Sequence, residues 1–488
     1  MGLFKTALNG AVWTTVSTAV RSVVSIFQVS ILTRFLEKGD FGIVAIATLF
    51  IGFSSIFLDL GISIGILHKQ EIKRSEYSSL FWLNIISGII ITLVLFLAAP
   101  IIASAYKEPE LVRVIRFLSF STLLASIGNQ HRIVQQKKLR FKLISIIEIA
   151  TAILTIIVAA TLAINGYGVY SLVYSTLFNY AFLNIAFLII GLSQDANIYL
   201  HFNFRETIPY LKIGGYQLGA QTLDYFSSEI DTIIISATLG KETLGVYSLC
   251  KRLVVALYAA ITPIYSKVLI PLISSIQNEK ERVITAFSNV IRTVSILNFP
   301  VFTVVAICSP AILYVLYGSQ YLDASFVLAI LALHYGYLSK GNPEGSLQVA
   351  FGRTDVGLYW TICRIIIYSM AIYIGCQFSV EGIALSLLLV NFISAPIAWF
   401  INIKQLIPVG FWDYFKLSFY PLLVSLTVAL PFYLVIHGSI NVLGNVIVGI
   451  LYLIAYSISS YYLFKESYII IRLKEVFNKF FVKQELHN

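Results

Sequence analysis

Apolar runs long enough to cross a bilayer recur fourteen times along these 488 residues, separated only by short polar or charged breaks. A membrane-spanning helix needs about 20 mostly apolar residues. The chain supplies such runs at 10–33, 41–67, 78–105, 111–134, 143–164, 168–191, 208–239, 245–273, 284–308, 323–351, 356–378, 380–403, 415–436 and 441–464. The third, seventh, eighth and tenth are long enough to imply tilt or extension into the interface. With 58% hydrophobic and 12% charged residues, this is an all-α polytopic membrane protein. The first run carries Arg21 and Gln28 and no small-residue cleavage site follows it, so it reads as a retained helix rather than a signal peptide.

Basic residues at the breaks set the orientation. With a cytoplasmic N-terminus, twenty fall inside, among them Lys69, Lys73, Arg74, Lys137, Lys138, Arg140, Lys142 and the tail's Lys465, Arg472, Lys474, Lys479 and Lys483. Five fall outside: Arg34, Lys38, Lys107, Arg113 and Lys241. Both termini are therefore expected inside. The tail, YIIIRLKEVFNKFFVK, alternates basic and apolar residues and is expected to lie as an amphipathic helix on the inner surface.

The motifs of soluble chemistry are missing. There is no GxxxxGK[ST] for nucleotide hydrolysis, the six histidines are scattered, and the largest interior break, 192–207, is too short for a catalytic domain. Cys250, Cys308, Cys363 and Cys376 sit in apolar runs with no paired spacing and read as small core residues. No catalytic residue, cofactor, metal or nucleic-acid partner is expected.

The chain also repeats itself. Laying FGIV (41–44) on LGVY (244–247), an offset of 203, superposes runs one and two on runs seven and eight. Gln217, Gln221, Asp224, Ser228 and Asp231 recur at steps of four and three, one face of a helix, and the offset matches them to Thr14, Thr18, Arg21, Ser25 and Gln28. At an offset of 213, Gly128, Asn129, Gln135 and Arg140 return as Gly341, Asn342, Gln348 and Arg353. Gly168 leads into run six as Gly382 leads into run twelve. Three ordered matches imply two parallel six-helix lobes, 1–207 and 208–404, followed by two extra helices at 405–464 and the tail at 465–488. A substrate path is expected between the lobes.

Charge within a span is expensive and usually faces a bundle interior or a water-filled cavity. Arg21 is accordingly read either as a cavity-facing group or as the structural partner of Asp224 or Asp231, and the two roles can coexist. Lys251, Arg252, Arg292, Lys340, Glu344 and Arg364 also lie in or beside apolar runs. Lys251 and Arg252 are adjacent and cannot both face the same way. Asp59, just before Gly61, is either an end-of-helix contact or functional. In KGNPEG (340–345) the proline weakens the helix and marks either a hinge or a passive kink.

LTRFLEKGDFGIVAIATLFIGFSSIFLDLGI (32–62), GNQHRIVQQKKLRFK (128–142), NGYGVYSLV (165–173) and GNPEGSLQVAFGRTD (341–355), in this order, resemble the polysaccharide transporter family. This is the Wzx-type O-antigen and exopolysaccharide flippase group, colanic-acid-exporter-like members included, of the multidrug/oligosaccharidyl-lipid/polysaccharide superfamily. The resemblance covers nearly the whole chain. It implies fourteen helices in two lobes around a cationic central cavity, and movement of undecaprenyl-pyrophosphate-linked oligosaccharide units from the inner to the outer leaflet of a bacterial cell membrane. It also implies membrane lipid, a polysaccharide polymerase and a chain-length regulator as partners. Substrate-contact candidates are Arg21, Ser25, Gln28, Gln217, Gln221, Lys251, Arg252, Arg292, Lys340 and Arg364. Asp224, Glu229, Asp231 and Asp59 are candidates for ion coupling. The rival readings are a multidrug antiporter of the same superfamily, whose lumen would favour acidic residues, and a membrane-embedded polymerase, which would need carboxylates or arginines near a large external loop.

Overall fold

The computed structural model describes residues 2–69, 71–195, 198–261, 263–436 and 440–464, which form helices and short turns with no strand among them. The tail expected as an amphipathic helix, 465–488, lies outside the described residues. The helices are α1 (Gly2–Leu32), α2 (Lys38–Asp59), α3 (Ile62–His68), α4 (Arg74–Tyr106), α5 (Glu110–Lys137), α6 (Phe141–Ile164), α7 (Tyr170–Asp195), α8 (Phe204–Thr238) and α9 (Gly240–Ile261). They continue as α10 (Pro263–Ile276), α11 (Lys280–Ile307), α12 (Ser309–Leu316), α13 (Ser325–Leu338), α14 (Gly341–Ala350), α15 (Thr354–Cys376), α16 (Val380–Ile393), α17 (Ala395–Ala398), α18 (Phe411–Ile436) and α19 (Val442–Leu463).

Among the described residues, twelve helical stretches are long and apolar enough to cross a membrane, and α16 with its continuation, bent by 46°, makes a thirteenth. The seventh expected run, α8, has 35 residues, about 50 Å of helix and more than a bilayer needs. Asp224, Glu229 and Asp231 within it are what hold its hydropathy down.

Two compact units emerge. One holds residues 1–260, 316–327 and 361–387, and the other holds the remaining described residues. In the first, α5 packs against α4, α7 and α2, while α6 lies on α1 and α7. The α4–α5 seam is built of small hydroxylated residues: Ser119, Thr122 and Ser126 are buried, and Thr92 and Thr122 share a 2.8 Å hydrogen bond. Small side chains let helix backbones approach closely where lipid gives no hydrophobic drive for association. In the second unit, α11 packs against α18 and α10 against α14, over a core that includes Phe287, Ile291, Leu347 and Ile403.

Two expected spans are interrupted. The run 41–67 breaks between α2 and α3, where Leu60 and Gly61 both have positive φ (46° and 72°). The Asp59 carboxylate accepts from the Ser63 amide (3.2 Å), its hydroxyl and Asn129 Nδ2 (3.3 Å). Asp59 thus makes an end-of-helix contact, serving an early amide of α3 that the helix itself leaves unsatisfied. The KGNPEG stretch is a restart: α13 stops at Leu338 and Pro343 falls in the first turn of α14, where its missing N–H forfeits no helical bond.

The repeat survives as matched contacts. Gly42 of α2 lies against the Lys241 carbonyl and Gly245 of α9 against the Lys38 carbonyl, each too close to admit a Cβ. Lys38 and Gly42 become Lys241 and Gly245 on adding 203, so one contact is made twice. The turn after α5 also recurs after α14. Leu139 and Gly352, 213 residues apart, have φ of 57° and 68°. The Arg140 amide donates to the Gln135 carbonyl at 3.0 Å, as the Arg353 amide does to the Gln348 carbonyl at 2.9 Å, the six-residue closure of a left-handed helix cap.

Candidate functional site

Ser17, Arg21, Ser25 and Gln28 follow one another at helical steps along α1. Around them three arginines and one carboxylate converge. Arg21 Nη1 donates to Glu148 Oε2 at 2.9 Å, Ser17 Oγ donates to the same oxygen at 3.0 Å, and Arg132 Nη2 donates to Glu148 Oε1 at 2.8 Å. One turn further along α1, Ser25 Oγ accepts from Arg252 Nε (3.1 Å) and Nη2 (2.8 Å), so α9 adds a third guanidinium. Gln28 Nε2 reaches Ser175 Oγ at 3.5 Å.

Exposure separates the roles. The Glu148 side chain is 10% exposed, whereas Arg21 and Arg132 are 49% and 37% exposed. Arg21 is some twelve residues, about 18 Å, from the start of its Asn9–Leu32 span. A half-exposed guanidinium at that depth is tolerated against water rather than hydrocarbon. The α1 face is net positive.

The matching stripe on α8 is differently charged. Lys251 Nζ, from α9, donates to Asp231 Oδ1 (2.8 Å), Glu229 Oε2 (3.1 Å), the Ser228 carbonyl (3.0 Å) and Thr232 Oγ1 (3.2 Å). Tyr247 OH closes on Asp231 Oδ2 at 2.6 Å. Arg364 Nε donates to Ser227 Oγ at 2.7 Å, and Thr361 Oγ1 donates to Asp224 Oδ1 at 3.4 Å. Three carboxylates meet two cations there.

The expected partnership of Arg21 with Asp224 or Asp231 is therefore not the one formed. Arg21 pairs with Glu148 and Asp231 pairs with Lys251, because packing brings α6 rather than α8 onto this part of α1. The repeat nonetheless predicts the geometry. Arg21 and Glu148 map to Asp224 and Thr361 at offsets of 203 and 213, and the second pair is also in contact. Glu148 and Arg132 were not among the sequence-derived candidates. Glu148 is the sole acid in FKLISIIEIATAILTIIVAATLAI, and an intramembrane carboxylate is itself a signal.

A family model described as polysaccharide biosynthesis protein matches residues 31–326, more than half of the chain. The chain belongs to that family. The lipopolysaccharide biosynthesis protein WzxC of Escherichia coli (strain K12) is 27% identical to it over 456 residues, covering 90% of each chain. The succinoglycan biosynthesis transport protein ExoT of Rhizobium meliloti (strain 1021) is 24% identical over 372 residues, 76% of this chain and 74% of that one. The fold matches the lipid II flippase MurJ in its inward closed conformation with a TM-score of 0.69 at 15% identity, covering 92% of this chain and 99% of MurJ.

The remaining candidates of this family member lie elsewhere. Gln221 is exposed on α8, and the side chain of Gln217 is outside the described ones. In the second unit Lys340 is 6% exposed, over the rings of Tyr337 (4.4 Å) and Tyr414 (4.9 Å) and 3.3 Å from Tyr414 OH. The Tyr414 hydroxyl donates to Glu344, which also accepts from Asn402 Nδ2 at 3.4 Å. Arg292 lines a cavity of about 770 Å³ between α11, α18 and α19 with Asp413, Lys416 and Tyr420. All four cysteines are free.

Proposed function

We propose that this protein is a flippase that moves polyprenyl-pyrophosphate-linked oligosaccharide units from the inner to the outer leaflet for O-antigen, capsule or exopolysaccharide assembly. The observation that carries the reading is the gathering of three arginines along one stretch of α1, Arg21 and Arg132 on the Glu148 carboxylate and Arg252 on Ser25 one turn further. Guanidinium groups match phosphate oxygens with paired donors. Serine and amide side chains on the same face, Ser25 and Gln28, suit sugar hydroxyls. A drug antiporter selecting organic cations would gain nothing from such a face. The relatives' roles in lipopolysaccharide biosynthesis and succinoglycan transport agree with a glycolipid cargo.

The lobes at 1–207 and 208–404 rock about a cavity that opens alternately to each side, with both termini in the cytoplasm of a bacterial cell. Asp224, Glu229 and Asp231 on α8 are the coupling groups through which an ion gradient biases the two states. The test is flipping of a lipid-linked oligosaccharide in proteoliposomes, read as its accessibility to an external lectin. Wild-type protein is expected to flip without nucleotide and the Arg21→Ala protein to be inactive. A wild-type protein that flips only with ATP, or an Arg21→Ala protein that flips normally, refutes the reading.

A further inference from the structure

Glu148 is the unexplained member of the site. Each of its oxygens takes one guanidinium nitrogen, Arg21 Nη1 at 2.9 Å and Arg132 Nη2 at 2.8 Å, so both arginines are held by single contacts rather than by their two-pronged forks. It sits behind them, on α6, while their outer faces are open. It also has a third partner. Ser17 Oγ, on the buried side of α1, donates to Glu148 Oε2 at 3.0 Å.

We propose that the Glu148 carboxylate is a displaceable stand-in for the substrate's phosphate, releasing Arg21 and Arg132 to an incoming pyrophosphate and reclaiming them to expel it. The inference rests on the glycolipid reading above. Carboxylate and phosphate accept the same guanidinium donors, and a phosphate that takes both forks replaces two single contacts with paired ones. Displacement leaves the carboxylate bonded to Ser17 and near the bound anion. The resulting repulsion favours release once the cavity has opened on the far side. Tight capture without such a competitor lowers the free energy of the bound state and slows turnover.

The test uses purified full-length protein and inorganic pyrophosphate as probe, with affinity from calorimetry and glycan export measured in cells. Glu148→Gln is expected to bind pyrophosphate about tenfold more tightly and yet export less. Through-space repulsion alone would give the same gain in every background. Displacement requires the gain to shrink to about threefold or less when Arg21→Ala is also present, since one of the competing contacts is then absent. Unchanged or weaker binding by a folded Glu148→Gln protein overturns the proposal, and so does a gain of equal size in both backgrounds. If Glu148→Gln does not accumulate, Glu148→Asp decides, because its shorter carboxylate cannot span both arginines: tighter binding supports displacement, wild-type or weaker binding overturns it. Wild-type binding that is indifferent to Arg21→Ala would instead sink the phosphate reading of the site, and the displacement with it.

Discussion

The α1 and α8 faces descend from one repeated pattern and have opposite electrostatics. On α1 a single carboxylate, Glu148, is shared by two arginines, with a third arginine one turn away. On α8 a single ammonium, Lys251, is shared by two carboxylates. Exposure is inverted as well: the α1 cluster exposes its cations, whereas Lys251 is only 12% exposed and Asp231 9%. A group shared by two partners of opposite sign survives the loss of one of them, and a partner that depends on it does not. Loss of a single α1 arginine is therefore expected to spare folding, and loss of Lys251 to disrupt it.

The largest effect should come from Lys251→Ala, which strands Asp231 and Glu229 without their cation. Removing one member of a buried pair costs about 3–5 kcal/mol, so the protein should vanish from membranes on an immunoblot. Adding Asp231→Asn and Glu229→Gln should restore abundance, and failure to do so would mean that the contrast between the faces is misdrawn. Next is Arg21→Ala, expected to lower export about a hundredfold, roughly 2.7 kcal/mol, at unchanged abundance because Glu148 keeps Arg132. Arg21→Lys should recover only part, having lost the fork. Loss of abundance instead of export would make Arg21 structural.

Smaller again are Gly42→Leu and Gly245→Leu, which overpack equivalent contacts. Each should cost about 1–3 kcal/mol, and urea-unfolding midpoints that differ widely between the two would deny that the contacts are equivalent. The smallest effect on folding is Asp224→Asn, at an exposed position 3.4 Å from a threonine hydroxyl. Stability should move by no more than about 0.5 kcal/mol. If α8 carries the coupling, the mutant should lose the dependence of flipping on an imposed ion gradient while keeping downhill flipping. A gradient response identical to wild type would remove Asp224 from coupling.

Much of this was legible in the sequence because membrane helices announce themselves through length and because a duplicated chain can be aligned with itself. The α1 and α8 stripes, their register and the charged residues on them needed no coordinates. The Arg21–Glu148 pair did: its members are 127 positions apart, and whether α6 or α8 lies beside α1 depends on packing that no local pattern encodes. The α2–α3 break was hidden for a different reason. Leu60 carries the left-handed turn together with Gly61, and an apolar side chain in that conformation leaves no mark on a hydropathy profile. Pro343 stands at a true interruption, in the first turn of α14, where a proline that would weaken a helix interior is at home.

The paired contacts of Gly42 with Lys241 and of Gly245 with Lys38 have an evolutionary consequence. Reciprocal burial of the same patch is the geometry of a homodimer with a two-fold axis. While two identical chains meet in this way, every substitution appears on both sides, and an arginine on one face compels an arginine on the other. Joining the copies into one polypeptide lifts that constraint. Position 21 carries a cation while its duplicate at 224 carries an acid, a difference that two identical chains meeting about a two-fold axis have no way to encode.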